Sequence, residues 1–206
     1  MTVIVGFTER ATSGRLFNSA AVLSAGAIVG VYRKVYPGDR TVIQAGDQLP
    51  MFHHRSTPFG IIICNDLWYL EPARVIAAAG AALLFVPTNG GHVRELSDSF
   101  RARGENLPIA RAVENTTTVV VADIAGHQAD RMSYGFSAII DPDCAVLAKA
   151  EAFTEALLIA DVETERRPFH PRGWDGNRNS AVTDAFLRVI QRNDRVASLH
   201  LRSHAR

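Results

Sequence analysis

Four consecutive β-formers, Ile61-Ile62-Ile63-Cys64, follow Gly60 and run straight into Asn65-Asp66. Neither alternate set of side chains in this run is polar, so the strand has to be covered on both faces. Ala82–Val86 has the same character and is stopped by Pro87-Thr88-Asn89-Gly90-Gly91. Between the two, residues 67–79 read as a helix, with Asp66 as its N-cap and Gly80 just past its end. Buried strands interleaved with helices define the α/β class.

The same logic extends along the chain. Thr2–Phe7, Arg15–Leu23 and Ala27–Tyr32 read as strands, the last two joined as a hairpin through Gly26. Residues 36–50, with Pro37, Gly38, Gly46 and Pro50, form a loop region. A helix through Ile109–Asn115 leads to a strand at Thr117–Ala122, and Phe136–Asp141 and Ala145–Ala148 flank a turn at Pro142-Asp143. Leu157–Asp161 reads as the last strand. An Arg/Pro/Gly-rich linker at 165–180 then precedes an amphipathic helix over Ala181–Arg192. The expected organisation is one domain over 1–165 and a C-terminal extension over 166–206.

With 206 residues, 47% of them hydrophobic and 21% charged, the chain has the make-up of a globular domain rather than a disordered one. A net charge of +1 leaves no electrostatic footprint for nucleic acid or an anionic membrane surface. No apolar run approaches the ~20 residues of a membrane span, and the N-terminus lacks the layout of a signal peptide. Cys64 and Cys144 are too few for a disulfide framework and lack zinc-ligand spacing. No Walker loop or dinucleotide fingerprint occurs, so the motifs make no case for a metal or a nucleotide. A cytoplasmic location follows from the free thiols and the missing targeting signal.

Cys64 closes a strand just before a helix. Such a turn lifts a side chain above the sheet and gathers the following N–H groups, which can lower a thiol pKa and hold an oxyanion. A buried core cysteine is the competing reading. Lys34 ends the Ala27–Tyr32 strand among aromatic residues; it is either a solvated charge or a cation held against the thiolate. His92 and His127 are the histidines that could serve a cysteine hydrolase as base.

Several segments in order resemble the nitrilase superfamily of carbon–nitrogen hydrolases. They are Val5-Gly6-Phe7-Thr8-Glu9, Phe17-Asn18-Ser19-Ala20, Tyr32-Arg33-Lys34-Val35, Ala45-Gly46-Asp47 and Gly60-Ile61-Ile62-Ile63-Cys64-Asn65-Asp66. Glu71-Pro72-Ala73-Arg74, Gly80-Ala81-Ala82-Leu83-Leu84, Ala110-Arg111-Ala112-Val113-Glu114-Asn115 and Tyr134-Gly135-Phe136-Ser137 follow. The resemblance implies an αββα four-layer sandwich and a Glu–Lys–Cys triad without cofactor. Cys64 would be the nucleophile that forms a thioester, and Lys34 with the backbone N–H of Asn65 would stabilise the oxyanion. Asp39, Trp68 and Asn89 would join Asn65 around a small amide, nitrile or carbamoyl substrate. The resemblance also implies a homo-oligomer.

The resemblance has departures. The family's general-base glutamate lies on a first strand ahead of the segment that resembles Val5–Glu9, so the fold is expected to lack its N-terminal part, base included. Glu9 corresponds to a second, noncatalytic acidic position. Asp39 stands one methylene short of a glutamate that many relatives carry, and Asn65 replaces an aromatic residue. Asp143-Cys144 takes the place of a glycine. A catalytically inactive chain that acts as a structural or interaction subunit is therefore the alternative to an amide-cleaving enzyme.

Overall fold

The computed structural model describes residues 1–93, 97–128, 130–164 and 180–192. Three antiparallel strands come first, β1 (Thr2–Arg10), β2 (Leu16–Ser24) and β3 (Ala27–Arg33). Ala25 and Gly26 both have positive φ, the backbone that matches a two-residue hairpin to the twist of its strands. A short hairpin follows, β4 (Phe52–His54) and β5 (Thr57–Ile61), and then a 3-10 turn over Cys64–Trp68 and α1 (Leu70–Ala78). Next come β6 (Leu83–Thr88), β7 (His92–Val93), α2 (Ser97–Asn115) and β8 (Thr118–Asp123). The remaining strands are β9 (Ala125–Gln128), β10 (Arg131–Tyr134), β11 (Ala138–Ile140) and β12 (Val146–Lys149).

β12-β11-β8-β6-β5-β4 form one mixed sheet, in which β5, β6 and β8 run parallel. β7-β10-β9 make a small third sheet. The run of isoleucines serves both faces of the six-stranded sheet. Ile61 and Ile63 join Ala20, Val22 and Tyr32 of the three-stranded sheet in one core, while Ile62 joins Ile76 and Ala112 of the helices in another. Gly60 lets α1 come down onto β5, since a Cβ there would lie 2.2 Å from Ile76 Cγ2.

The result is an α/β arrangement whose layers, within Met1–Pro168, run sheet, sheet, helix. The described helices of this unit pack on the six-stranded sheet, and Val3, Val5 and Phe7 on β1 remain 37–46% exposed. The chain divides into two compact units, Met1–Pro168 and Phe169–Arg206. α3 (Ser180–Arg192) belongs to the second and coincides with the amphipathic helix expected there. The linker at 165–179 and the tail beyond Arg192 lie outside the described residues.

Four expectations change. Asp66 does not cap a helix from outside; it sits inside the 3-10 turn with its carboxylate buried. The helix over 67–79 is interrupted at Tyr69, which is extended, and restarts at Leu70. Pro72 explains the restart, because proline lacks an N–H and fits only the first turn of a helix. α2 begins at Ser97, far earlier than expected, because Gly104 and Pro108 break up its apolar period. Leu157–Asp161 forms no ladder, and Leu157 and Ile159 are more than 80% exposed. Apolar alternation makes a strand only where a neighbouring edge accepts it.

Candidate active site

β5, β6 and β8 end side by side, and the chain leaving each carries a polar group to one place. Open α/β sheets bind ligands at the carboxyl ends of their parallel strands. Past β5 stands Cys64, with φ of +44° in the left-handed region, where a non-glycine residue is strained. The strained turn releases the thiol from the sheet, as in a nucleophile elbow. Asn89 follows β6, and its carbonyl oxygen lies 3.8 Å from Cys64 Sγ. Asp123 ends β8. The half-buried Cys64 opens onto a cavity of about 530 Å³ whose walls include Asn65, Trp68, His92, Asp123 and Phe136.

Lys34 reaches this region from the end of β3. Its N–H donates to Asn18 O at 2.8 Å and its carbonyl accepts from Gly46 N at 2.8 Å, which pins the backbone on both sides. The residue is 6% exposed. Among the described residues its ammonium makes no ion pair and no hydrogen bond.

Burial pushes the Cys64 thiol above its ordinary pKa, against the pull of the Lys34 charge and the contact with Asn89. The expectation of a lowered thiol pKa therefore does not hold. A 3-10 turn of five residues offers little helix dipole, and taking a thiolate out of water costs more than it returns. Attack by Cys64 then needs a group that removes its proton.

The other expected residues divide. The Asn65 N–H has no hydrogen-bond acceptor among the described residues, as at any helix start, while its side chain donates to Tyr36 O at 3.0 Å. Trp68 lines the cavity, its ring 5.4 Å from that of Phe100 and under the Arg103 guanidinium. Asn89 contributes its carbonyl; its side-chain oxygen accepts from Gly91 N instead. Asp39 is not brought to the cavity. It is exposed and accepts from the Thr41 N–H and hydroxyl, which hold its carboxyl below the usual range.

The three remaining residues, Glu9, His92 and His127, separate as well. Glu9 accepts from Arg33 Nε and Nη2 and from Ser19 Oγ, so it is engaged away from Lys34. His92 lines the cavity, stacked on Phe100 with centroids 3.9 Å apart, and burial lowers its pKa and favours the neutral imidazole. His127 lies outside that lining, on a neighbouring pocket. Sequence reasoning missed Asp123, whose carboxylate accepts from Gly90, Ile124 and Phe136 N–H groups and whose pKa burial raises. Its place at the carboxyl end of a buried parallel strand was the available signal.

The family model for carbon–nitrogen hydrolase matches residues 1–168. Glutamine-dependent NAD(+) synthetase of Xylella fastidiosa is 27% identical over 203 residues, covering 93% of this chain and 36% of that protein. N-carbamoylputrescine amidase of Solanum tuberosum is 27% identical over 191 residues, covering 84% of this chain and 63% of its own length. The chain thus spans roughly one third to two thirds of these curated relatives. The crystal structure of an amidase from Nesterenkonia sp. superimposes with a TM-score of 0.74 at 20% identity, over 90% of this chain and 67% of that one, a likeness of fold.

Proposed function

The chain belongs to the carbon–nitrogen hydrolase family, and we propose that it cleaves a small amide, nitrile or carbamoyl compound through a Cys64 thioester. Cys64 Sγ bonds to the electrophilic carbon, and the oxyanion is met by the Lys34 ammonium and the Asn65 N–H. With an amide or carbamoyl substrate the C–N bond then breaks, the thiol proton leaves with ammonia or an amine, and a thioester remains; a nitrile first gives a thioimidate, to which one water adds before ammonia leaves the same thioester. Water adds to it, the C–S bond breaks, and the carboxylic acid departs with the thiol restored. Splitting one hard acyl transfer into two easier ones is what the cysteine contributes.

The observation that carries this reading is a strained cysteine at the meeting point of three parallel strands, with a buried lysine close enough for its charge to act on the thiol. The relatives named as amidases act in the same direction. Glu9 is held by Arg33 and Ser19, and the glutamates on the described walls of the cavity are Glu105 and Glu151. Lack of a general base costs on the order of 10²–10⁴ in rate. His92 supports a second reading, in which its neutral imidazole takes the thiol proton.

Ammonia release from a panel of amides, nitriles and carbamoyl compounds tests the proposal. The expected result is release that vanishes in Cys64→Ala and falls further in Lys34→Ala than in His92→Ala. The reverse order favours the histidine base. No release above the Cys64→Ala background sinks the enzymatic reading and favours a structural or interaction subunit.

A further inference from the structure

Asp66 stands two residues beyond Cys64 and is fully buried, yet it does not line the cavity. Its Oδ2 accepts from the Ile63 N–H at 2.9 Å and from the Tyr32 hydroxyl at 2.6 Å. Its Oδ1 accepts from the Tyr36 N–H at 2.7 Å. Tyr32 and Tyr36 flank Lys34, two residues to either side. The Tyr32 oxygen, while donating to Asp66, also receives the Val35 N–H at 3.4 Å. One carboxylate therefore grips the chain on both sides of Lys34 and, through Ile63, the entry to the turn that carries Cys64.

We infer that Asp66 is the positioning residue that holds Lys34 against the Cys64 thiol, an inference that rests on the proposed pairing of those two residues. A buried carboxylate is costly unless its lone pairs are occupied, and this one spends them on two segments that are about thirty positions apart. Among the described residues no carboxylate forms an ion pair with the Lys34 ammonium, although Asp66 is near enough to feel its charge.

Two effects of Asp66 oppose each other, which makes the inference testable by sign. As a bare negative charge it disfavours the Cys64 thiolate; as a clamp it favours the thiolate by keeping Lys34 close. The charged groups facing the thiol are Lys34, Asp66 and Asp123, with His92, Arg101, Glu105, Lys149 and Glu151 on the cavity walls beyond. Among the described residues, Lys34, Tyr32, Tyr36 and the Cys64 thiol are the titratable groups that face Asp66.

The experiment is the pH dependence of Cys64 alkylation by iodoacetamide in the full chain, with Cys144→Ser so that one thiol reports. Lys34→Ala is expected to raise the midpoint by about one pH unit. In Asp66→Asn the midpoint is expected to rise, and adding Lys34→Ala is expected to change it little further. Tyr32→Phe, which keeps the carboxylate and the shape of the core, is expected to shrink the Lys34→Ala shift in the same way and serves if Asp66→Asn does not fold. A midpoint that falls or stays put in Asp66→Asn overturns the inference. So does a Lys34→Ala shift as large in either variant as in the parent, or no shift in the parent. Absent amide turnover beside an intact Lys34-dependent midpoint defeats only the proposed function.

Discussion

Arg33 holds Glu9 at two points, Nε at 2.9 Å and Nη2 at 2.5 Å, from the position just before the buried Lys34. Ser19 Oγ adds a third bond at 2.8 Å, and the Arg33 guanidinium also lies 4.5 Å from the Phe17 ring centroid. The three strands β1, β2 and β3 are thereby cross-linked at the end that delivers Lys34. Neighbouring cations thus differ: Arg33 is paired within the sheet, while Lys34 is buried and has no ion pair among the described residues.

The Arg33 hydrogen bond is the main reason that the Glu9 carboxyl is held below its ordinary pKa. A depressed folded-state value means that the added stability is present above the unfolded value and is lost as pH falls through the folded one. Glu9→Gln should cost about 0.5–1 kcal/mol near neutrality, because the pair is partly exposed. Urea unfolding from pH 7 down to pH 3 should show that the gap between parent and variant closes on acidification. The pH dependence of Cys64 alkylation should be unaltered.

Gly46 approaches the same corner. A Cβ there would stand 2.3 Å from Arg33 O, a contact that real side chains do not make. Gly46→Ala should displace the end of β3 and weaken the Gly46 N–H bond to the Lys34 carbonyl. The expected loss is on the order of 1–3 kcal/mol in urea unfolding, with a smaller effect of Lys34→Ala on thiol reactivity than in the parent.

Cys144 occupies the β11–β12 turn with φ of +72°, and it is exposed. A β-carbon in the left-handed region costs about 1–2 kcal/mol, part of which glycine returns through its freer unfolded chain. Cys144→Gly should raise stability by about 0.5–1 kcal/mol. A thermal melt that shows no gain would mean that Asp141, which accepts from the N–H groups of Asp143 and Ala145, already relieves the turn.

Val3, Val5 and Phe7 face outward on β1, and β1 is an edge of its sheet. A long apolar edge is a template for another chain. Light scattering should show concentration-dependent association, as expected of a homo-oligomer, and Val5→Lys should reduce it. Unchanged mass in the variant would move the contact to another face.

Much of this was legible in the chain. Ile61-Ile62-Ile63 told of chain covered on both sides, and its side chains divide between the two cores, but the strand itself lies earlier, at Thr57–Ile61, and Ile62 and Ile63 lead from it into the turn. The turn at Cys64 was marked by apolar β-formers stopping at Asn65-Asp66. Asp66 itself was misread, because an acidic residue at a helix start usually caps that helix. Here it sits at the third position of the 3-10 turn, accepts from the Ile63 N–H at the turn's start, and also reaches Tyr32 and Tyr36. The extent of α2 was hidden by Gly104 and Pro108, whose low propensity is offset by packing against the sheet. The apolar stretch at Leu157–Asp161 suggested a strand and found no partner.

By itself, sequence determined the α/β class and the buried strands, because propensity, periodicity and turn chemistry act over a few neighbouring residues; Cys64 and Lys34 became a candidate pair only through the order of segments that resembles the family. Tertiary structure alone decided that Glu9 serves Arg33, that Asp39 stays on its loop, that Asp123 reaches the cavity, and that Asp66 joins Tyr32 and Tyr36 to Ile63. Those outcomes depend on strand order and register. The Glu9–Arg33 and Asp66–Tyr32 contacts join residues 24 and 34 positions apart, and the energy of a buried polar group is settled by what packing brings to it, not by its neighbours in the chain.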